Sequence, residues 1–328
     1  MDYKQYILPT IVFLTVAFIY ENFKQYNDDD ENAKHYKLVE KYLLNSSSLA
    51  RSKKPILWIH TDRETNARWW ASWGSRNTNC MNQPYLFLTI KSIIDKCGGQ
   101  FNICLIDDSS FESIIPGWNV NMEKIADPIK DKMRNLAMAR VLKSYGGMFV
   151  PSSFICFRSL NGVYKTGIKN TGMFVGELDL RDGKGPARSQ PYQNLACPSP
   201  YFMGCVKNSS KMSEYSDYLL TMISKDFTAE SIFLGEVSEW LAYKVDNGEI
   251  NVVPAEILGS RDINNKLITI EQLMGNSYID VSPDAIGVYL PDKDILRRTK
   301  YQWFARLSAT QVVASDTMAG KILMLANS

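Results

Sequence analysis

Three short apolar runs, separated by stretches of helical period and closed by glycine or acidic turns, constrain this chain more tightly than its composition does. Pro55 to His60 reads as a buried strand that opens a sheet. Between Gln83 and Cys97, Leu86, Ile90, Ile93 and Ile94 recur at helical spacing, and Gly98-Gly99 ends that helix. Phe101 to Ile106 is a second strand, running into Asp107-Asp108. From Asp127 to Ser144, Met133, Leu136, Ala137, Ala139, Val141 and Leu142 belong to a second helical stretch, stopped by Tyr145-Gly146-Gly147. Met148 to Phe157 follows as one more apolar β-type run. The order strand, helix, strand, helix, strand with short connections predicts an α/β sheet flanked by helices, of the nucleotide-binding type. Pattern alone does not name the ligand.

Beyond this unit the signals thin out. Residues 161 to 200 carry Gly162, Gly167, Gly172, Gly183 and Gly185 among Pro186, Pro191, Pro198 and Pro200, which reads as a loop-rich region rather than a second core. Strand character returns over Pro200 to Val206, and Tyr215 to Ile223 and Ser231 to Val245 read as helices. Glu236 and Glu239 on the second of these are more simply surface carboxylates than catalytic bases. Asp280 and Asp284, around Pro283, are turn residues. Ser308 and Gln311 form a capping-box start for a final amphipathic helix through Leu325, and Tyr301, Trp303 and Phe304 either dock that helix or face a protein partner.

The N-terminus has a different character. Tyr6 to Tyr20 is uncharged, and residues 3–23 suffice for a short membrane span with Lys4 and Glu21 at the interfaces. A cleaved signal peptide is the competing reading, but no small-x-small site follows Tyr20, which favours a retained anchor. Lys4 on one side against Lys24 and Lys34 on the other leaves orientation open. The expected organisation is an anchor over 1–24, a polar juxtamembrane linker over 25–54 and a folded domain over 55–328.

Charge and residue counts exclude several chemistries. With 37 basic and 35 acidic residues the net charge is +2, which offers no long-range attraction for nucleic acid. Two histidines, His35 and His60, exclude a histidine-rich zinc site. The six cysteines form no C-x-x-C pair and read as buried thiols. Any chemistry rests on carboxylates, hydroxyls and bases.

Residues 134 to 160, RNLAMARVLKSYGGMFVPSSFICFRSL, resemble the sugar-nucleotide transferases of the capsular polysaccharide synthesis family and the related yeast-type α-mannosyltransferases. Leu142, Tyr145, Gly146, Gly147, Phe149, Phe154, Ile155 and Leu160 fit that family's frame, and PILWIHTDRETNARWWASWG and FNICLIDD extend the resemblance upstream to residue 55. The resemblance implies a glycosyltransferase type A-like, Rossmann-like mixed sheet, a nucleotide-sugar donor and a Mn or Mg ion. The polar positions depart from it. Where the family has an Asp and an Arg on the helix, this chain has Asn135 and Met138. Where the family's acidic turn holds the metal, it has Pro151, Ser152 and Ser153. Neutral hydroxyls do not replace two carboxylates as ligands for a hard divalent cation.

These departures make a catalytically inactive, membrane-anchored binding or structural protein without a cofactor the leading expectation, with protein partners. The tail and short anchor also resemble glycosyltransferase-like proteins of large DNA viruses, which implies a minor virion component linking a membrane to a protein shell. The alternative is a divergent metal-independent transferase acting on surface glycans, with Arg134, Arg140 or Arg158 holding the diphosphate. Asp107 and Asp108, at a strand's carboxyl end, are placed for a ribose or metal contact, although a helix cap is the simpler role for one of them.

Overall fold

The computed structural model describes residues 54–61, 83–178, 198–225 and 230–328. The expected anchor and nearly all of the linker lie outside these residues. No helix among the described residues is long and apolar enough to cross a membrane. Residues 54–111 and 121–328 form the main body, and residues 112–120 group apart from it.

In chain order the elements are β1 (Ile56–His60), α1 (Tyr85–Cys97), β2 (Asn102–Ile106), α2 (Ser110–Ile114), α3 (Ile129–Tyr145), β3 (Gly147–Phe149), β4 (Phe154–Cys156), α4 (Asn161–Gly167), β5 (Met173–Gly176), β6 (Ser199–Cys205), α5 (Ser210–Ser224) and α6 (Glu230–Asp246). They continue with β7 (Asn251–Val253), α7 (Ala255–Leu258), α8 (Ile270–Met274), β8 (Gly287–Tyr289), α9 (Asp292–Arg297), α10 (Gln302–Arg306), α11 (Ala309–Val313) and α12 (Met318–Asn327). Six strands make one mixed sheet in the order β2-β1-β3-β6-β5-β7, and β4 pairs with β8 in a separate two-stranded ribbon. β1 is parallel to both β2 and β3, while β6 runs antiparallel to β3 and β5. The protein is therefore a mixed α/β domain with helices on its sheet.

Side-chain alternation divides the core. Leu57, Ile59, Met148, Phe174 and Phe202 meet Ile90, Ile93 and Cys97 of α1 in one buried cluster, against which Val163 and Tyr164 of α4 also pack. α3, with α5 packed along it, contacts β3 and β6. Trp58 donates its indole N–H to the Gly146 carbonyl at 3.0 Å, which ties β1 to the end of α3. A second cluster joins Tyr85, Leu86 and Leu88 of α1 to Ile270, Leu273, Val288, Phe304, Ile322 and Leu323.

Three sequence expectations need correction. The run Met148 to Phe157 is two strands, not one: Pro151 has no N–H to continue the ladder, and a turn closes where Phe154 N–H donates to the Pro151 carbonyl at 3.0 Å. The glycine-rich region after residue 160 contains α4 and the fully buried strand β5. Gly167 there serves close packing, since a Cβ on it would strike the Phe174 ring. The last helix is also interrupted. The Ser308–Gln311 capping box forms, but α11 ends at Val313 and Thr317 caps α12 anew by accepting from Gly320 N–H.

Candidate functional site

A cavity of about 150 Å³ opens at the carboxyl ends of β1 and β3, the edge at which parallel strands present ligands. β1 supplies His60, α3 supplies Asp131, Arg134, Asn135 and Met138, and the turn after β3 supplies Pro151, Ser152 and Ser153. Gln83, Tyr201, Tyr289, Asp292 and Lys293 complete its polar wall. Asn135 and Met138 share the wall with Arg134 because Met138 lies four residues after Arg134 and three after Asn135, which places it between them on one side of the helix.

The serine turn is held from two sides. Thr89 of α1 donates to the Ser152 carbonyl at 2.5 Å. Ser153, 1% exposed, donates its hydroxyl to Asp292 Oδ1 at 3.1 Å. Burial pushes the Asp292 carboxyl above its ordinary range, and this outweighs the neighbouring Lys293 charge and the Ser153 hydrogen bond. Burial, with Asp292 and Tyr289 beside it, likewise lifts the Tyr85 hydroxyl well above its ordinary value. That hydroxyl donates to Gln83 Oε1 at 2.6 Å.

The wall formed by α3 carries an alternating chain of charge. Arg134 donates through Nε and Nη2 to the two carboxylate oxygens of Asp108 at 2.8 and 2.6 Å. Its Nη1 reaches Asp131 at 2.9 Å. Lys293 closes on the other Asp131 oxygen at 2.8 Å, and Lys130 stands 3.6 Å from Asp108. His60 Nε2 lies 3.0 Å from Asp108 Oδ1, with its ring stacked on Phe111. Burial alone would raise the Asp108 carboxyl, but the Arg134 and His60 hydrogen bonds and charges hold it well below the usual carboxylate range. At Asp131 burial is again opposed, by the Lys293 and Arg134 charges and hydrogen bonds, and the carboxyl is lowered.

The ten residues singled out in the sequence separate clearly. Asn135, Met138, Pro151, Ser152, Ser153 and Arg134 meet at one cavity. Asp108 stands behind Arg134 rather than on the wall. Asp107 accepts from Ser110 N–H at 3.0 Å and caps α2, the simpler of its two expected roles. Arg140 lies off the cavity, and so does Arg158, which donates to the Pro283 carbonyl at 2.6 Å. Neither is placed to hold a diphosphate there, which corrects that expectation. Asp131, Asp292, Lys293, Tyr201, Tyr289 and Gln83 were not among the sequence candidates. An Asp-x-x-Arg spacing within α3 signals the Asp131–Arg134 pair, whereas nothing local to Asp292 or Lys293 points to a site. Among the described residues no group of three or more His, Cys, Asp or Glu side chains is arranged to hold a metal ion.

No protein-family model matches the chain. No curated protein matches it either. Among solved structures, a PaToxG glycosyltransferase is similar at 12% identity, over 69% of this chain and 81% of that one, with a TM-score of 0.37.

Proposed function

We propose that this protein has a glycosyltransferase type A-like fold that does not carry out metal-dependent sugar transfer and serves as a membrane-tethered binding component. The observation that carries the reading is the state of Arg134. This guanidinium, the best-placed sequence candidate for a diphosphate, is already paired with Asp108 and Asp131. Pro151, Ser152 and Ser153 stand beside it at the cavity, where the family resemblance would put metal-binding carboxylates. Residues 3–23 supply the tether in this reading. In a large DNA virus such a protein would link a membrane to a protein shell.

A metal-independent transferase is the second reading, and Lys293 on the cavity wall favours it, since an ammonium can hold phosphate. It would have to leave Asp131 to do so. The full-length chain in detergent, mixed with UDP, GDP, UDP-glucose or GDP-mannose with and without Mn²⁺, is expected to show no thermal stabilisation and to release no nucleoside diphosphate. Stabilisation by a nucleotide together with release of its diphosphate overturns the proposal. The tether is checked by retention of the chain in the membrane pellet after alkaline carbonate washing, and loss to the supernatant removes that part of the reading.

A further inference from the structure

We infer that the cavity binds one uncharged, polyhydroxylated six-membered ring, a sugar residue or a cyclic polyol, and does not accommodate a nucleoside diphosphate. This rests on the binding-component reading above and supplies its ligand.

Size gives the first argument. A cavity of about 150 Å³ is that of an engineered protein cavity which takes a single benzene ring, whereas sites for larger organic ligands run from about 300 Å³ upward. One ring fills it; the base, ribose and diphosphate of a sugar nucleotide would have to lie outside it.

Charge gives the second. Arg134, Asp131 and Lys293 alternate in sign along the wall, each within ion-pair distance of the next, and behind the wall Asp108 pairs with Arg134 and Lys130. Asp292 adds a carboxyl that burial biases toward its neutral form. A diphosphate would have to draw Arg134 or Lys293 away from carboxylates that are only 16% exposed, leaving those carboxylates uncompensated. A neutral ligand asks for no such exchange.

The hydrogen-bonding groups give the third. Asn135 donates its amide N–H to the Asp131 carbonyl at 3.1 Å, which leaves its Oδ1 as an acceptor. Gln83 is 4% exposed, and its Oε1 is occupied by the Tyr85 hydroxyl, so its Nε2 remains as a donor. Ser152 and Asp292 add a hydroxyl and a carboxyl to the lining. Ring hydroxyls both donate and accept, so they match a wall that mixes the two. Met138, Phe149 and the Tyr289 ring supply apolar surface for the C–H faces of such a ring.

The test uses the full-length chain in detergent with methyl glycosides of glucose, mannose, galactose and N-acetylglucosamine, with myo-inositol, and with uridine and UDP, followed by saturation-transfer NMR and calorimetry. At least one neutral ring is expected to bind saturably, with uridine and UDP failing to displace it. Presenting the same sugar at the end of an immobilised oligosaccharide separates a glycan terminus from a free ring as the source. Asn135→Ala and Asp292→Asn should each weaken binding by about tenfold or more, at a retained far-ultraviolet spectrum. Ser152→Ala substitutes for whichever of them does not fold. The inference is overturned if no ring saturates the folded protein, if the folded variants bind like the wild type, or if uridine or UDP displaces the ring. Silence from every ligand sinks this inference alone, whereas nucleotide binding with diphosphate release sinks the binding-component reading as well.

Discussion

Asp108 stands where Arg134, Lys130 and His60 converge, and its low titration range is a statement about stability. Because the folded-state value is depressed, the contribution is complete above the unfolded carboxylate value of about 3.9 and is lost as pH falls below it. Asp108→Asn removes the negative charge and replaces one of the two oxygens that accept from Arg134 with an amide donor, which leaves that guanidinium partly unmatched. Urea unfolding at neutral pH should show a loss of about 3 kcal/mol. The same measurement repeated toward pH 3 should show wild-type stability falling toward that of the variant, so a constant gap would count against the assignment. Much of this neighbourhood was legible at the residue level: Arg134, Asn135 and Met138 share a helix face by spacing alone. Asp292 and Lys293 were not legible, because the partner of Asp292 is Ser153, 139 residues away in the chain.

At the scale of elements, the glycine pair after α3 is the most demanding feature. Gly146 adopts φ 71° and Gly147 φ 93°, in the region that side chains rarely adopt. A Cβ on Gly147 would fall on the Ile56 carbonyl, inside the β1–β3 pairing. Gly147→Ala should therefore cost about 4 kcal/mol, combining backbone strain with overpacking. Gly99→Ala, where the added carbon meets nothing within 4 Å, is the comparison. Equal midpoints of denaturant unfolding for the two variants would refute this. Apart from the short helix α2, the strand and helix order from residue 55 to 149 follows from apolar periodicity, as read from the sequence. The strand break at Pro151 and the buried β5 were missed for one physical reason: periodicity reports burial, not which partner strand supplies the hydrogen bonds.

Across the whole molecule, the cavity depends on a second core built largely from the last third of the chain. Tyr85 packs on Phe304 with ring centroids 5.3 Å apart, and Leu86 lines the cavity from the same cluster. Phe304→Ala should cost about 4 kcal/mol. The adjacent Trp303, 41% exposed, should cost under about 1 kcal/mol on the same change. Thermal unfolding of both distinguishes a docking role from a surface one, and a larger loss at Trp303 would reverse the assignment. The β4–β8 ribbon has a kinetic consequence. Its strands pair Phe154 with Tyr289, and Ser153 reaches Asp292 just beyond. Such distant pairings close late, because the loop entropy is lost before the contacts compensate it. During synthesis the sheet strands can assemble while this wall is still missing, so the cavity is closed only once Tyr289, Asp292 and Lys293 have emerged.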